Sequence, residues 1–373
     1  MFIKSGKYEI QRDKAKIYYT YKPTPLCKVN FIKTDEELTL LLSKAHRVLG
    51  ILEGMIQFIP NVDVIESILI KKEILLSCQL DGSKASFNDV LYNTKKKNKD
   101  INYIRNYIDA VLLGKSRILN DDISNQLLRD IHRALVIDEN SQTSGDFRNI
   151  QIVDKAAIYI SDMRIYNPVA PEDIDATMAD LESYINSDDD TDILIKTALI
   201  YYQFVTISPF KNENDKIGRI LINLYLQKNK ILSRQLLCLS SYTLLDRIGF
   251  FDRVSAVRII GDYGQWVKCF LKAIIVTAER TINIINKLIE IKSKNQAKIR
   301  AFGQAEKTTL IILDYLEQNP IIDLKNTAEE LNISFNTVAK SVSNLQELGI
   351  IKQGENRMRN RCFAYEEYLE IIR

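Results

Sequence analysis

Ser208 to Arg219, S-P-F-K-N-E-N-D-K-I-G-R, brings together the side chains of this chain whose types and spacing could do chemistry. The stretch holds a hydroxyl at Ser208, amides at Asn212 and Asn214, carboxylates at Glu213 and Asp215, and cations at Lys211, Lys216 and Arg219. An apolar run, Ile193 to Ile207, precedes it, and Ile217, Ile220, Leu221, Leu224 and Tyr225 follow at helical spacing. The order is therefore helix, short polar loop, helix. Pro209 and Phe210 are placed to anchor the loop, Asn214 to cap the second helix, and Arg219 lies inside that helix. A serine cannot serve as a general base at neutral pH, and the two histidines, His46 and His132, lie far away in sequence.

The loop resembles, in register and without gaps, the signature H-P-F-x-[D/E]-G-N-G-R-x-x-R of Fic proteins. Pro209, Phe210, Asn214 and Arg219 match it. Ser208 stands at the family's general base, Asn212 at its metal-binding acid, Glu213 and Asp215 at two glycines, and Lys216 at the first arginine. Upstream, Pro60-Asn61 and the segment Lys72 to Ser83 are similar to the family's P-N segment and its inhibitory helix, which ends S-x-x-x-E-G; here Ser77, Asp81 and Gly82 take those places. Gly145, Phe147 and Arg148 resemble a P-G-x-F-R turn. Ser240, Arg247, Asp252, Arg258, Gly261, Asp262 and Trp266 follow the family pattern in order. The resemblance covers roughly residues 35 to 275.

What it implies is transfer of AMP from ATP to a protein hydroxyl, with ATP and Mg²⁺ as cofactors. By that resemblance Asn212, Glu213, Asn214, Asp215, Lys216 and Arg219 are the nucleotide-binding candidates. Ser208 holds the catalytic position, and Ser77, Asp81 and Gly82 the inhibitory one, with Asp81 expected to bond Arg219. The substitutions work against that chemistry. A positioned base contributes ~10²–10⁴ in rate, and Mg²⁺ prefers charged oxygens to the neutral amide of Asn212. A carboxylate ~4 Å from a phosphate costs about 4 kcal/mol at an effective dielectric near 20. A helix N-terminus returns only ~0.3–1 kcal/mol, ~2 at best. Phe250 and Phe251 also replace a Tyr-Tyr pair of the family.

The elements that must position the loop are almost all helical. At 373 residues, 46% apolar and 27% charged, the chain has the composition of a globular protein with room for two domains. A net charge of +3 assigns no nucleic-acid partner by itself. Five scattered cysteines without a C-x-x-C pair, and only two histidines, argue against a zinc site, so no metal is assigned. The N-terminus lacks a signal-peptide core and no apolar run approaches ~18 residues, so no membrane span and a cytoplasmic setting are expected. The basic run Lys95 to Lys99 and the acidic run Asp188 to Asp192 read as solvated turns.

Residues 1–34 read as an extended arm. Residues 35–280 form the Fic-like helical body, its helix opened by a Thr34/Glu37 capping box and its inhibitory helix near 66–82. A β-hairpin flap is expected within Asn149 to Tyr166, a helical linker over 281–304, and a winged helix-turn-helix over 305–373. The fold class is thus all-α with a small flap and a wing.

In the last unit, Ser334 is placed to cap a recognition helix exposing Phe335, Asn336, Thr337, Lys340, Ser341 and Asn344. Arg357, Arg359 and Arg361 lie on the wing. Lys340 and Asn344 are the base-reading candidates and the three arginines the phosphate-binding ones; a protein-contact module is the other reading of the same unit. Two functions stay open: a regulator with a degraded loop, working through the winged helix, or an active adenylyltransferase using another base, Glu213 among them. The partners to consider are a target protein, DNA and a second copy of the chain.

Overall fold

The computed structural model describes residues 5–13, 16–28, 34–59, 62–87, 90, 99–136, 145–153, 166–354 and 362–372. The arm is a hairpin of two antiparallel strands, β1 (Gly6–Asp13) and β2 (Lys16–Pro23). It is fastened to the body on both sides. The Tyr21 amide donates to the Asn167 carbonyl at 3.0 Å, and the Asn167 side chain returns a bond to the Tyr19 carbonyl at 2.8 Å. Ser5 Oγ donates to the Val257 carbonyl at 2.6 Å.

Helix α1 (Glu36–Ile56) begins one residue later than the sequence suggests: Asp35, not Thr34, caps it by accepting from the Leu38 amide at 2.8 Å. Asp35 also pairs with Lys268, so a tertiary contact selects between two residues of similar capping strength. Helix α2 (Val62–Leu80) is buried on most of its circumference and takes two acids, Glu66 and Glu73, into the interior. Helices α3 (Lys99–Arg117), α4 (Asn125–Leu135) and α5 (Ile174–Ile185) lead to α6 (Ile193–Ile207), which is predominantly apolar and almost wholly buried. Asp192 caps α6, accepting from Leu194 N at 2.9 Å.

Helix α7 (Asn214–Lys228) packs on α6. Gly218 permits the close approach, since a methyl group there would stand 3.0 Å from the Tyr201 ring. Helices α8 (Leu239–Leu245) and α9 (Arg247–Ile260) complete the ring of helices around this pair. The hairpin expected between Asn149 and Tyr166 falls largely on residues 154–165, outside the described residues; 149–153 and Tyr166 carry no strand.

Helix α10 (Tyr263–Phe302) is one uninterrupted helix of 40 residues. The stretch expected to be a separate linker is its second half, and buried Ile285, Leu288, Ile291 and Ile299 make it part of the core. Beyond it come α11 (Glu306–Gln318), β3 (Ile321–Asp323), α12 (Leu324–Leu331), α13 (Phe335–Glu347), β4 (Lys352–Gln353), β5 (Cys362–Ala364) and α14 (Glu366–Ile372). The three strands form an antiparallel sheet in the order β3-β5-β4, giving a winged helix-turn-helix. Ser334 caps α13, accepting from Thr337 N at 3.2 Å. Asn295 of α10 donates to the Tyr365 hydroxyl at 2.7 Å, and Lys292 pairs with Glu317 at 2.7 Å.

Candidate functional site

The 208–213 loop joins α6 to α7 and lines an open cleft of about 810 Å³ against the end of α2. Ser208 ends α6 in a left-handed conformation, φ 47°, with its hydroxyl donating back to the Val205 carbonyl at 2.7 Å. Arg148 holds the loop from beneath: its Nε donates to the Ser208 carbonyl at 2.9 Å, its backbone amide to the Pro209 carbonyl at 2.8 Å, and its Nη2 to the Val169 carbonyl at 2.5 Å. Burial lowers the Arg148 pKa to about 10, which still leaves it charged. Phe210 is fully buried and stacks on His132, ring centres 4.1 Å apart. His132 accepts from the Gly145 amide at Nδ1, and burial holds its pKa below the ordinary histidine value.

Asn214 does not cap α7. It is the first residue of the helix, and its amide closes the loop on itself, accepting from Phe210 N and donating to the Phe210 carbonyl, both at 2.9 Å. The capping place belongs to Glu213, whose φ of 64° is left-handed, a conformation for which glycine is the strain-free residue. Its carboxylate does not cap the helix but accepts from Tyr103 Oη at 2.5 Å and from Lys216 Nζ at 2.6 Å, both on Oε2. Lys216 is buried and also pairs with Asp81. Burial works against the Lys216 ammonium, but Glu213 and Asp81 outweigh it and hold its pKa above the usual lysine value. Asn212 and Asp215 are exposed, and of the two only Asp215 lines the cleft.

The expected Asp81–Arg219 bond is absent. Asp81, with 54% of its side chain exposed, reaches only as far as Lys216. Arg219 lies one turn deeper, 4% exposed, where its Nη2 donates to Ser77 Oγ at 2.7 Å. Its Nε faces Glu73 Oε1 at 3.8 Å. Glu73 in turn accepts from the Ser240 amide at 2.9 Å and hydroxyl at 2.7 Å. Burial pushes the Glu73 carboxyl above its ordinary value, against the pull of Arg219 and Ser240. Gly82 adopts φ 89° just past the end of α2. Glu73 and Tyr103 are functional neighbours that sequence reasoning did not single out. An acid inside the apolar run I-L-I-K-K-E-I-L-L was the available signal for Glu73; Tyr103 gave none.

In the C-terminal unit, α13 exposes Phe335, Asn336, Lys340 and Ser343. Asn344 is turned inward, 5% exposed, and donates to the Gln304 carbonyl at 3.0 Å; Ser341 is fully buried. Asn344 is therefore a structural residue, not a base-reading one. Four residues advance a helix by about 40° beyond a full turn, which carries Asn344 from the Lys340 face toward the core. Arg357, Arg359 and Arg361 lie outside the described residues. Among the described residues no cluster of three or more metal-ligating side chains occurs, and no helix is long and apolar enough to cross a membrane.

A helical body with a loop–helix cleft, joined to a winged helix-turn-helix, defines a two-module protein. The chain matches the Fic/DOC family over residues 122–226, the Fic/DOC family N-terminal region over 39–116, and winged helix-turn-helix DNA-binding domains over 306–352. It carries a Fic/DOC domain, with the N-terminal Fic region before that domain and a winged helix-turn-helix domain after it.

Among curated relatives, protein adenylyltransferase fic-1 of Caenorhabditis briggsae is 24% identical over 125 residues, 33% of this chain and 22% of the relative. The match thus spans about a fifth of that protein's length. Among solved structures, a Fic family protein from Desulfovibrio desulfuricans is similar at TM-score 0.58 and 14% identity, over 89% of this chain and 97% of that one. A fragment of Caenorhabditis elegans Fic-1 is similar at TM-score 0.51 and 16% identity, over 67% and 74%.

Proposed function

We propose that this protein is a Fic-fold regulator without useful adenylyltransferase activity, cytoplasmic, and acting on DNA through its winged helix. The observation that carries the reading is the pairing of Lys216, the buried cation of the loop, with both Asp81 and Glu213. Phosphate binding at this helix start needs free positive charge and backbone amides. Here the cation is already neutralised and the amide-lined turn carries a carboxylate.

Family members bind ATP and Mg²⁺, and the residues present do not fit them. Asn212 offers only a neutral oxygen and does not line the cleft, Glu213 repels phosphate, and Ser208 has its proton committed to Val205. Glu213 is also ill-suited to replace the missing base, because Tyr103 and Lys216 both bond its Oε2. The DNA-binding half of the reading is supported by the family match over 306–352 and by the exposed Asn336, Lys340 and Ser343 on α13.

The test pairs two assays on the full chain. With labelled ATP and Mg²⁺, neither the protein nor a lysate should acquire AMP above background; turnover within the usual enzyme range of ~1–10³ s⁻¹ would overturn the reading. Selection from a random duplex pool should enrich a sequence, and Lys340→Ala should weaken its binding. Replacing Arg357, Arg359 and Arg361 should weaken all sequences alike and flatten the salt dependence. No enrichment, with unchanged affinity in the arginine variant, would make the domain a protein-contact module.

A further inference from the structure

A second cavity, of about 410 Å³, opens between α2, α8, α10 and α14 and shares no lining residue with the Ser208 cleft. Its walls are largely apolar, with Leu76 from α2, Ile284 from α10 and Ile371 from α14. Two cations face it, Lys72 from α2 and Arg280 from α10, together with the Ser241 hydroxyl. Arg280 Nη1 donates to Ser241 Oγ at 3.4 Å, and neither cation pairs with a carboxylate among the described residues.

Lys71, the neighbour of Lys72 on α2, also lacks a carboxylate partner among the described residues, but it has no second cation beside it. Lys196, Lys216, Lys268 and Lys292 each sit against one or two carboxylates. Lys72 is half-buried beside apolar walls and another positive charge, and burial, with Arg280 adding to it, holds its pKa below the ordinary lysine value. A partly desolvated lysine beside a second positive charge is unfavourable without a counter-ion, and an anion between Lys72 and Arg280 relieves both the desolvation and the repulsion. The volume lies at the low end of small-molecule pockets, which run from ~300 to 1,000 Å³ and combine apolar walls with a few convergent polar groups.

We propose that this cavity binds a small organic anion with a hydrocarbon body, its head on Lys72, Arg280 and Ser241 and its chain against Leu76, Ile284 and Ile371. The site is independent of whether the Ser208 loop is silent. Its position gives the occupant two modules to touch at once. Helix α2 carries Ser77 and Glu73, which hold Arg219, and runs directly into Asp81, which holds Lys216, whereas Ile371 belongs to the last helix of the winged unit.

Calorimetric titration of the full chain with octanoate, octanol and inorganic phosphate tests the proposal. Octanoate should bind saturably, octanol at least about tenfold more weakly, and phosphate without saturation, because a charge-assisted bond at such a site contributes roughly one to two powers of ten in affinity. Lys72→Gln and Arg280→Gln should each lower octanoate affinity about tenfold. Arg280 is solvent-exposed, so its variant keeps the fold and remains a valid test if Lys72→Gln does not. The proposal fails if octanoate shows no saturable binding at millimolar concentration. It fails equally if octanol matches octanoate, or if Arg280→Gln binds as the parent does.

Discussion

Replacing Glu73 by alanine should destabilise the helical body by about 3–5 kcal/mol, the usual cost of leaving one partner of a buried ion pair alone. Arg219 is 4% exposed, and without Glu73 its Nε faces no carboxylate and has no hydrogen-bond partner, while its Nη2 keeps Ser77 Oγ. Arginine cannot shed its proton to escape. The Ser240 amide loses its acceptor as well, and a buried donor left unpaired costs a further ~1–3 kcal/mol if water does not reach it. Trp266, the only tryptophan, is fully buried in this body and bonds the Ala198 carbonyl at 2.8 Å, so its fluorescence reports this unit and not the winged helix. In urea, with a slope near 3 kcal/mol per molar, the midpoint should fall by about 1–2 M. The double variant Glu73→Ala/Arg219→Met should recover part of the loss, with a coupling of ~0.5–3 kcal/mol. A single-variant loss below ~1 kcal/mol, or strict additivity, would refute the assignment of Glu73 as the partner of Arg219.

Asp81→Ala should cost no more than ~1 kcal/mol in the same assay, because Asp81 is half exposed and Lys216 keeps Glu213. Stability should also fall as pH drops below the ordinary histidine pKa, ~6.5. His132 has a lowered pKa in the folded state, so the unfolded chain binds the extra proton first and stability rises with pH across that window. His132→Gln should flatten the slope, read by Trp266 fluorescence between pH 5 and 7.5 (roughly the histidine range). Asn344→Ala should lower the protection of winged-helix amides in hydrogen exchange, a loss of ~1 kcal/mol, while leaving base preference at any selected DNA site unchanged.

The helix–loop–helix around Ser208 was legible because α6 is predominantly apolar and α7 repeats at helical spacing, patterns set by local sequence. The three helices α11, α12 and α13 of the winged unit were legible for the same reason, helped by the turn Asn332-Ile333-Ser334. What could not be read were choices made by distant contacts. Asp35 rather than Thr34 caps α1 because Lys268, more than two hundred residues later, engages it. Arg219 takes Ser77 and Glu73 rather than Asp81 because the depth of a side chain along a helix pair is set by packing, not by motif order. Asn344 faces inward because Gln304, at the end of α10, offers a carbonyl there. The arm's strands alternate aromatic and polar residues, yet their attachment to the body runs through Asn167 and Val257, which no local pattern reveals.

The 40-residue α10 has a mechanical consequence. At 1.5 Å per residue it is a strut of about 60 Å, with Trp266 wedged into the body near one end and Asn295 bonded to the winged unit near the other. The two modules have no soft joint along it. A swing of the winged unit away from the body requires the strut to bend or unwind, and must also part Lys292 from Glu317 and Asp314. The orientation of the winged unit is thus set by the same helix that closes the body, and a kink engineered mid-strut would uncouple the two without touching either surface.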